Sequence, residues 1–291
     1  MRIARPAHTA FILILAGIIG AGVGLITWQV GATIWPGVIL FLVLAGKGMA
    51  RSVRRWRLAK RPFPESWRVW LGENVPLYRR LDDQARDRFE MDVRFVMAEW
   101  RFEGVDGVDV SEELKLSVAA GAALLLHGRP DWEIRPARTI LFYPEQFDDR
   151  YHVDDDANYD GMAHAQGPVI LSRKAVLESW ASPRRGSNVV LHELAHLLDF
   201  ANEFADGVTP LVDPGSIDAW NRLVRSEMNR IRFGRSLLRQ YGAQNQAEFF
   251  AVAIENFFDR PDVLARRHPE LFEALRELLN LDPRSPAAEA E

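Results

Sequence analysis

The sequence contains no cysteine. That removes disulfide bridges, thiolate metal sites and cysteine nucleophiles together, and leaves His, Asp and Glu as the available metal ligands. It also suits a reducing compartment. There is no acidic residue before Glu65, and no Asp, Glu, Lys or Arg between Arg5 and Lys47. The net charge of -4 therefore averages a basic N-terminus with an acidic body that holds all 40 carboxylates. An acidic body argues against nucleic acid as a partner. At 291 residues, 48% of them hydrophobic, the chain can bury a core for one large domain or two smaller ones. No internal repeat is visible.

The charge-free run is long enough for two membrane crossings, since each takes roughly 20 helical residues. It divides at Trp28-Gln29-Val30-Gly31, giving one helix over Ala10–Thr27 and a second over Ile34–Met49, with Trp28 and Trp35 near the outer interface. Gly17, Gly20, Gly22 and Gly24 let two helices approach closely. A signal peptide is the alternative, but the apolar stretch is too long and lacks a small-residue cleavage site. Arg2 and Arg5 flank one end, and seven positive charges from Lys47 to Arg61 follow the other. Both ends, and the domain after them, are expected in the cytoplasm as a multi-pass inner-membrane protein, with the basic stretch touching lipid headgroups.

Arg61-Pro62-Phe63-Pro64 closes the juxtamembrane segment. The expected organisation is a transmembrane hairpin at 1–50, a basic linker at 51–66, a folded domain at 67–283 and a tail at 284–291. Helices are predicted over Asp82–Arg101, apolar at Phe89, Val93, Val96, Met97 and Trp100, and over Ser111–Leu126, where Ser-Glu-Glu forms a cap. Thr139–Tyr143 and Pro168–Ser172 read as strands, separated by an acidic loop from Asp148 to Asp160. An edge strand near a metal can pair with an extended peptide.

The segment after them, Asn188 to Phe200, contains His192-Glu193-Leu194-Ala195-His196. Residues four apart share one helix face, so both imidazoles can bind a single zinc ion, with Glu193 beside them to accept a proton from zinc-bound water. Ser187 or Asn188 can cap this helix, and Val189, Val190, Leu194, Leu197 and Leu198 supply its buried stripe. The bland alternative is a core helix with two satisfied histidines. An intramembrane protease also uses HExxH, but Arg184, Arg185 and Asp199 bracket this motif with charge.

A catalytic zinc needs a third protein ligand and one open position. The helix Asn245–Phe258 offers Glu248 and Glu255, seven apart and nearly on one face. Two acids along an otherwise apolar helix are not buried without a cation. One is expected to bind metal while the other supports a ligand or pairs elsewhere. Asp199, seven residues after His192, suits a supporting role better than direct ligation.

Several separated motifs resemble the Mlc titration factor A family of zinc metallopeptidases. They are His192-Glu-Leu-Ala-His-Leu-Leu-Asp199, Gly207-Val-Thr-Pro-Leu211, Tyr241 seven residues before Glu248, Ala247–Val252 with Glu255, and the ending from Pro261 to Pro283 with His268-Pro269. The resemblance covers roughly residues 60 to 283. It implies His192, His196 and Glu248 as ligands of one Zn2+, Glu193 as general base, and Tyr241 as a helper at the oxyanion, a packing tyrosine being the alternative. Some members use an upstream histidine that blocks the open position. His152 sits at nearly the matching distance before Gly167-Pro168, with His164 closer and an ordinary loop histidine as the other reading. The enterobacterial members are soluble and bind a glucose-responsive repressor; the hairpin sets this bacterial-type chain apart from them.

The expected fold is α+β: a mostly helical, zincin-like metallopeptidase domain with a small sheet, preceded by two transmembrane helices. The expected function is hydrolysis of a peptide or protein substrate at the membrane, as an aminopeptidase or an endopeptidase. A regulatory protein that sequesters a transcription regulator at the membrane, with little catalytic duty, is the competing expectation.

Overall fold

The chain divides at Pro62, with Arg2–Pro62 as one unit and Phe63 onward as another. A computed structural model of the chain describes residues 1–4, 6–31, 33–134, 139–148, 159–181, 186–199 and 212–284.

In the N-terminal unit, helix α1 (Pro6–Gln29) and helix α2 (Trp35–Ala59) pack against each other. Gly31, at φ 77°, turns the chain between them, and Thr27 Oγ1 donates to the Thr33 carbonyl at 2.7 Å. The approach is close because glycines face each other. A Cβ on Gly37 would stand 2.2 Å from the Gly20 carbonyl oxygen and 2.6 Å from the Gly24 nitrogen. Both helices are long and apolar enough to cross a membrane, with mean hydropathy of 2.4 and 1.4 in their most apolar windows. Phe11, Ile14, Ile18 and Leu25 point outward, a surface that is costly to leave in water. The second helix does not stop at Met49. It continues through the basic cluster, because Arg, Ala and Leu are good helix formers and no breaker intervenes before Pro62.

In the second unit, helix α3 (Glu65–Asn74) precedes α4 (Asp83–Glu99). Asp82 caps α4 by accepting from the Ala85 nitrogen at 2.7 Å, and Ser111 likewise caps α5 (Glu112–Leu126). Between them Arg101 leaves the helix expected for it and opens strand β1 (Arg101–Gly104), which pairs in parallel with β2 (Thr139–Tyr143). Edge strand β3 (Gly161–Ala163) runs antiparallel to β4 (Val169–Ser172), and the sheet order is β1-β2-β4-β3. β4 is fully buried, as its unbroken apolar run requires.

Helices α6 (Arg173–Ala181), α7 (Val189–Asp199), α8 (Ile217–Arg232), α9 (Gln246–Asp259), α10 (Pro261–Arg267) and α11 (Pro269–Leu279) complete the described residues. The architecture is α+β and mostly helical, with one small sheet. α7 lies between α5 and α9. Gly121 allows the first contact, since a Cβ there would meet Val190 Cγ1 at 2.6 Å. α9 is apolar on nearly every face, from Phe249 to Phe258, and is buried accordingly. The exception is its first turn, where Glu248 reaches solvent.

Candidate metal centre

Two asparagine caps set the geometry of the site. Asn188 Oδ1 accepts from the Leu191 nitrogen at 3.1 Å and starts α7 one turn before His192. Asn245 Oδ1 accepts from the Glu248 nitrogen at 2.9 Å and places Glu248 in the first turn of α9. The two helices then bring His192, His196 and Glu248 together, with one ligand atom from each lying within 4.8 Å of the others.

Glu248 Oε2 is 3.0 Å from His192 Nε2 and 3.5 Å from His196 Nε2. Donors around a tetrahedral ion bound at about 2.0–2.1 Å would lie roughly 3.3 Å apart. Two imidazoles and a carboxylate at these separations fit a first-row divalent cation. The electrostatics agree. Burial opposes charge on His192, yet Glu248 and Glu255 outweigh it and raise its pKa to about 10. Burial likewise works against the Glu248 charge, but hydrogen bonds from His192 and His196 hold that group down at about 2. The space between these side chains favours positive charge.

Glu255 does not join the cluster. It is fully buried two turns further along α9, where its Oε1 accepts from His192 Nδ1 at 2.7 Å and its Oε2 accepts from the Asn188 nitrogen at 2.7 Å. This holds the Nδ1 proton of His192 on Glu255 and leaves Nε2 as the ring nitrogen that faces Glu248. Asp199, at the buried end of α7, is also outside the cluster. The supporting carboxylate on His192 is therefore Glu255. His152, Arg184, Arg185 and Gly207–Leu211 lie outside the described residues, as does most of the loop from Asp148 to Asp160.

A cleft of about 410 Å³ opens beside these residues, lined by Gly161, His192, Glu193, Arg239 and Tyr241 among others. Glu193 is buried, and burial raises its pKa. Tyr241 sits on a 3-10 turn (Gln240–Ala243) with its ring centroid 5.7 Å from that of His192. Burial, then the charges of Glu248 and Glu193, push its hydroxyl up to about 12, so it keeps its proton and can donate.

Two neighbours were not visible in the sequence. Gly161 on β3 packs against Glu193 so tightly that a Cβ would meet its Oε1 at 2.6 Å. Arg239 pairs with Glu255 and stacks 5.5 Å from the centroid of the Tyr241 ring. The need for a cation beside two acids on an apolar helix was a signal for Arg239. It did not say which cation.

The family described as glucose-regulated metallo-peptidase M90 matches residues 50–279. The chain belongs to that family. Mlc titration factor A of Edwardsiella ictaluri is similar at 28% identity over 239 residues, covering 76% of this chain and 88% of that one. The protein of the same name from Salmonella arizonae is 27% identical over 238 residues, covering 74% and 92%. An uncharacterized protein of Synechocystis is 29% identical over 247 residues, covering 79% and 89%. Membership in this metallopeptidase family implies a metal, and the His192–His196–Glu248 cluster could bind one.

Proposed function

We propose that the chain is a membrane-anchored zinc peptidase whose catalytic domain faces the cytoplasm from the inner membrane. The observation that carries this reading is the set of three ligand atoms within 4.8 Å, one helix face away from a buried glutamate. His192, His196 and Glu248 would hold the ion. When bound, zinc supplies Lewis acidity, which acidifies water and polarises a carbonyl. Glu193 takes the proton of the attacking water at its carboxylate and returns it to the leaving amine. The Tyr241 hydroxyl donates to the oxygen that gains charge as the peptide carbonyl is attacked. β3 is an edge strand beside Glu193, a place where an extended substrate can add a strand. The two apolar stretches, the second running into seven basic residues from Lys47 to Arg61, support anchoring with both ends inside.

Peptide cleavage by the full chain in detergent, before and after chelation, tests this. Activity should vanish with chelator and return with stoichiometric zinc; activity indifferent to chelator would refute it.

The name Mlc titration factor A, carried by two of the similar proteins, favours a second reading in which this chain binds a transcription regulator at the membrane. Under that reading, Glu193→Gln would leave both capture of the regulator and the phenotype intact.

A further inference from the structure

We propose that Arg239 is a positioning residue for the metal, acting through Glu255 on His192. The inference rests on the metallopeptidase reading above and extends it beyond the three ligands and the catalytic carboxylate.

Glu255 is fully buried, and a carboxyl group there needs hydrogen-bond donors on both oxygens. The Asn188 nitrogen takes Oε2, while Oε1 is shared between His192 Nδ1 and Arg239 Nη2. Arg239 Nη2 also lies 3.2 Å from His192 Nδ1. Both nitrogens carry hydrogen, so the oxygen between them is what each one binds. One carboxylate oxygen thus fixes the imidazole of His192 and the guanidinium of Arg239 together.

Arg239 is itself held firmly. It precedes the 3-10 turn that carries Tyr241, and Leu238 beside it is buried. The Gln240 side-chain amide donates to the Ile231 carbonyl at 2.9 Å, and the Leu237 nitrogen donates to Nε2 of buried His268 at 3.4 Å. The guanidinium is two-fifths exposed on the cleft side, so its contact with Glu255 does not serve to fill the core. Its consequence is geometric. Arg239 holds Oε1 of Glu255 in place, Oε1 holds Nδ1 of His192, and Nε2 is left facing Glu248. Partners of this outer kind commonly change metal affinity by about 10–100-fold.

Arg239→Gln and Arg239→Lys in the full chain test the assignment against wild type. Three readouts are needed: zinc affinity by chelator competition, the visible spectrum of the cobalt(II)-substituted protein, and thermal melting after chelation. Arg239→Gln should bind zinc about tenfold more weakly and shift the cobalt spectrum. Arg239→Lys should restore most of both, since one donor and one charge suffice at Oε1. A merely structural arginine would move the melting curve and leave the cobalt spectrum unchanged. Equal zinc affinity and identical cobalt spectra in all three proteins would overturn the assignment while the metallopeptidase reading stands. A wild-type chain that takes up neither metal would overturn that reading and, with it, this one.

Discussion

Gly161 and Glu193 are in direct contact, and a Cβ on Gly161 would stand 2.6 Å from both Cγ and Oε1 of Glu193. The edge strand and the HExxH helix therefore meet at the carboxylate proposed as the base. Gly161→Ala should push that carboxylate aside while leaving the His192–His196–Glu248 cluster intact. Displacements of this size commonly cost about 10²-fold in rate. Steady-state kinetics with parallel zinc analysis should show kcat reduced by about that factor at unchanged zinc content. Full activity in the variant would mean that Glu193 is not the base or that β3 moves freely.

Tyr241 is tested by the loss of one oxygen. Tyr241→Phe keeps the ring against His192 and removes only the hydroxyl. Loss of one donor to a developing oxyanion costs roughly 10²–10³-fold in kcat. The expected result is a fall of that order with KM and zinc content preserved. An unchanged kcat would leave Tyr241 as a packing residue.

Asp259, at the end of α9, gives a pH signature for folding. Burial first, and the charge of Glu255 second, raise its pKa from 3.8 to about 7, and its Oδ2 has no hydrogen-bond partner among the described residues. Between those values the folded chain holds a proton that the unfolded chain has released. Stability from this group is therefore full below about pH 4 and is lost as pH rises through about 7, a change on the order of 4 kcal/mol. Melting curves of Asp259→Asn should decline less than wild type from pH 4 to pH 8. Parallel declines would show that Asp259 ionises normally.

Because the chain lacks cysteine, single introduced thiols can map its topology. Val30, 75% exposed at the turn between α1 and α2, and Phe233, 75% exposed on the second unit, are suitable positions. In intact cells Val30→Cys should react with a membrane-impermeant reagent, and Phe233→Cys should react only after permeabilisation. The reverse pattern would invert the proposed orientation.

Local chemistry made much of this legible. Asn188 as one of two cap candidates, the apolar stripe of α7, the apolar run of α9 and the HExxH spacing are all short-range signals, and the structure places those helices where the spacing predicts them. The same logic narrowed the third candidate ligand to Glu248 or Glu255, because seven residues put both on one face. Only the packing of α9 against α7 distinguishes them, with Glu248 on the Nε2 side of His192 and Glu255 on the Nδ1 side. β1 and β3 were missed for a related reason. At four and three residues they carry no readable period, and pairing with β2 and β4 is what makes them strands. Gly161 and Arg239 matter through neighbours 32 and 16 residues away, a relation that no local pattern encodes.

Anomalous diffraction at the zinc edge, from crystals of the full chain grown with stoichiometric zinc, tests the metal centre most directly. One peak bonded to His192 Nε2, His196 Nε2 and a carboxylate oxygen of Glu248, with Glu255 on the far side of His192, is the expected result. A map with no peak among these three residues, or with zinc held by other side chains, would contradict it.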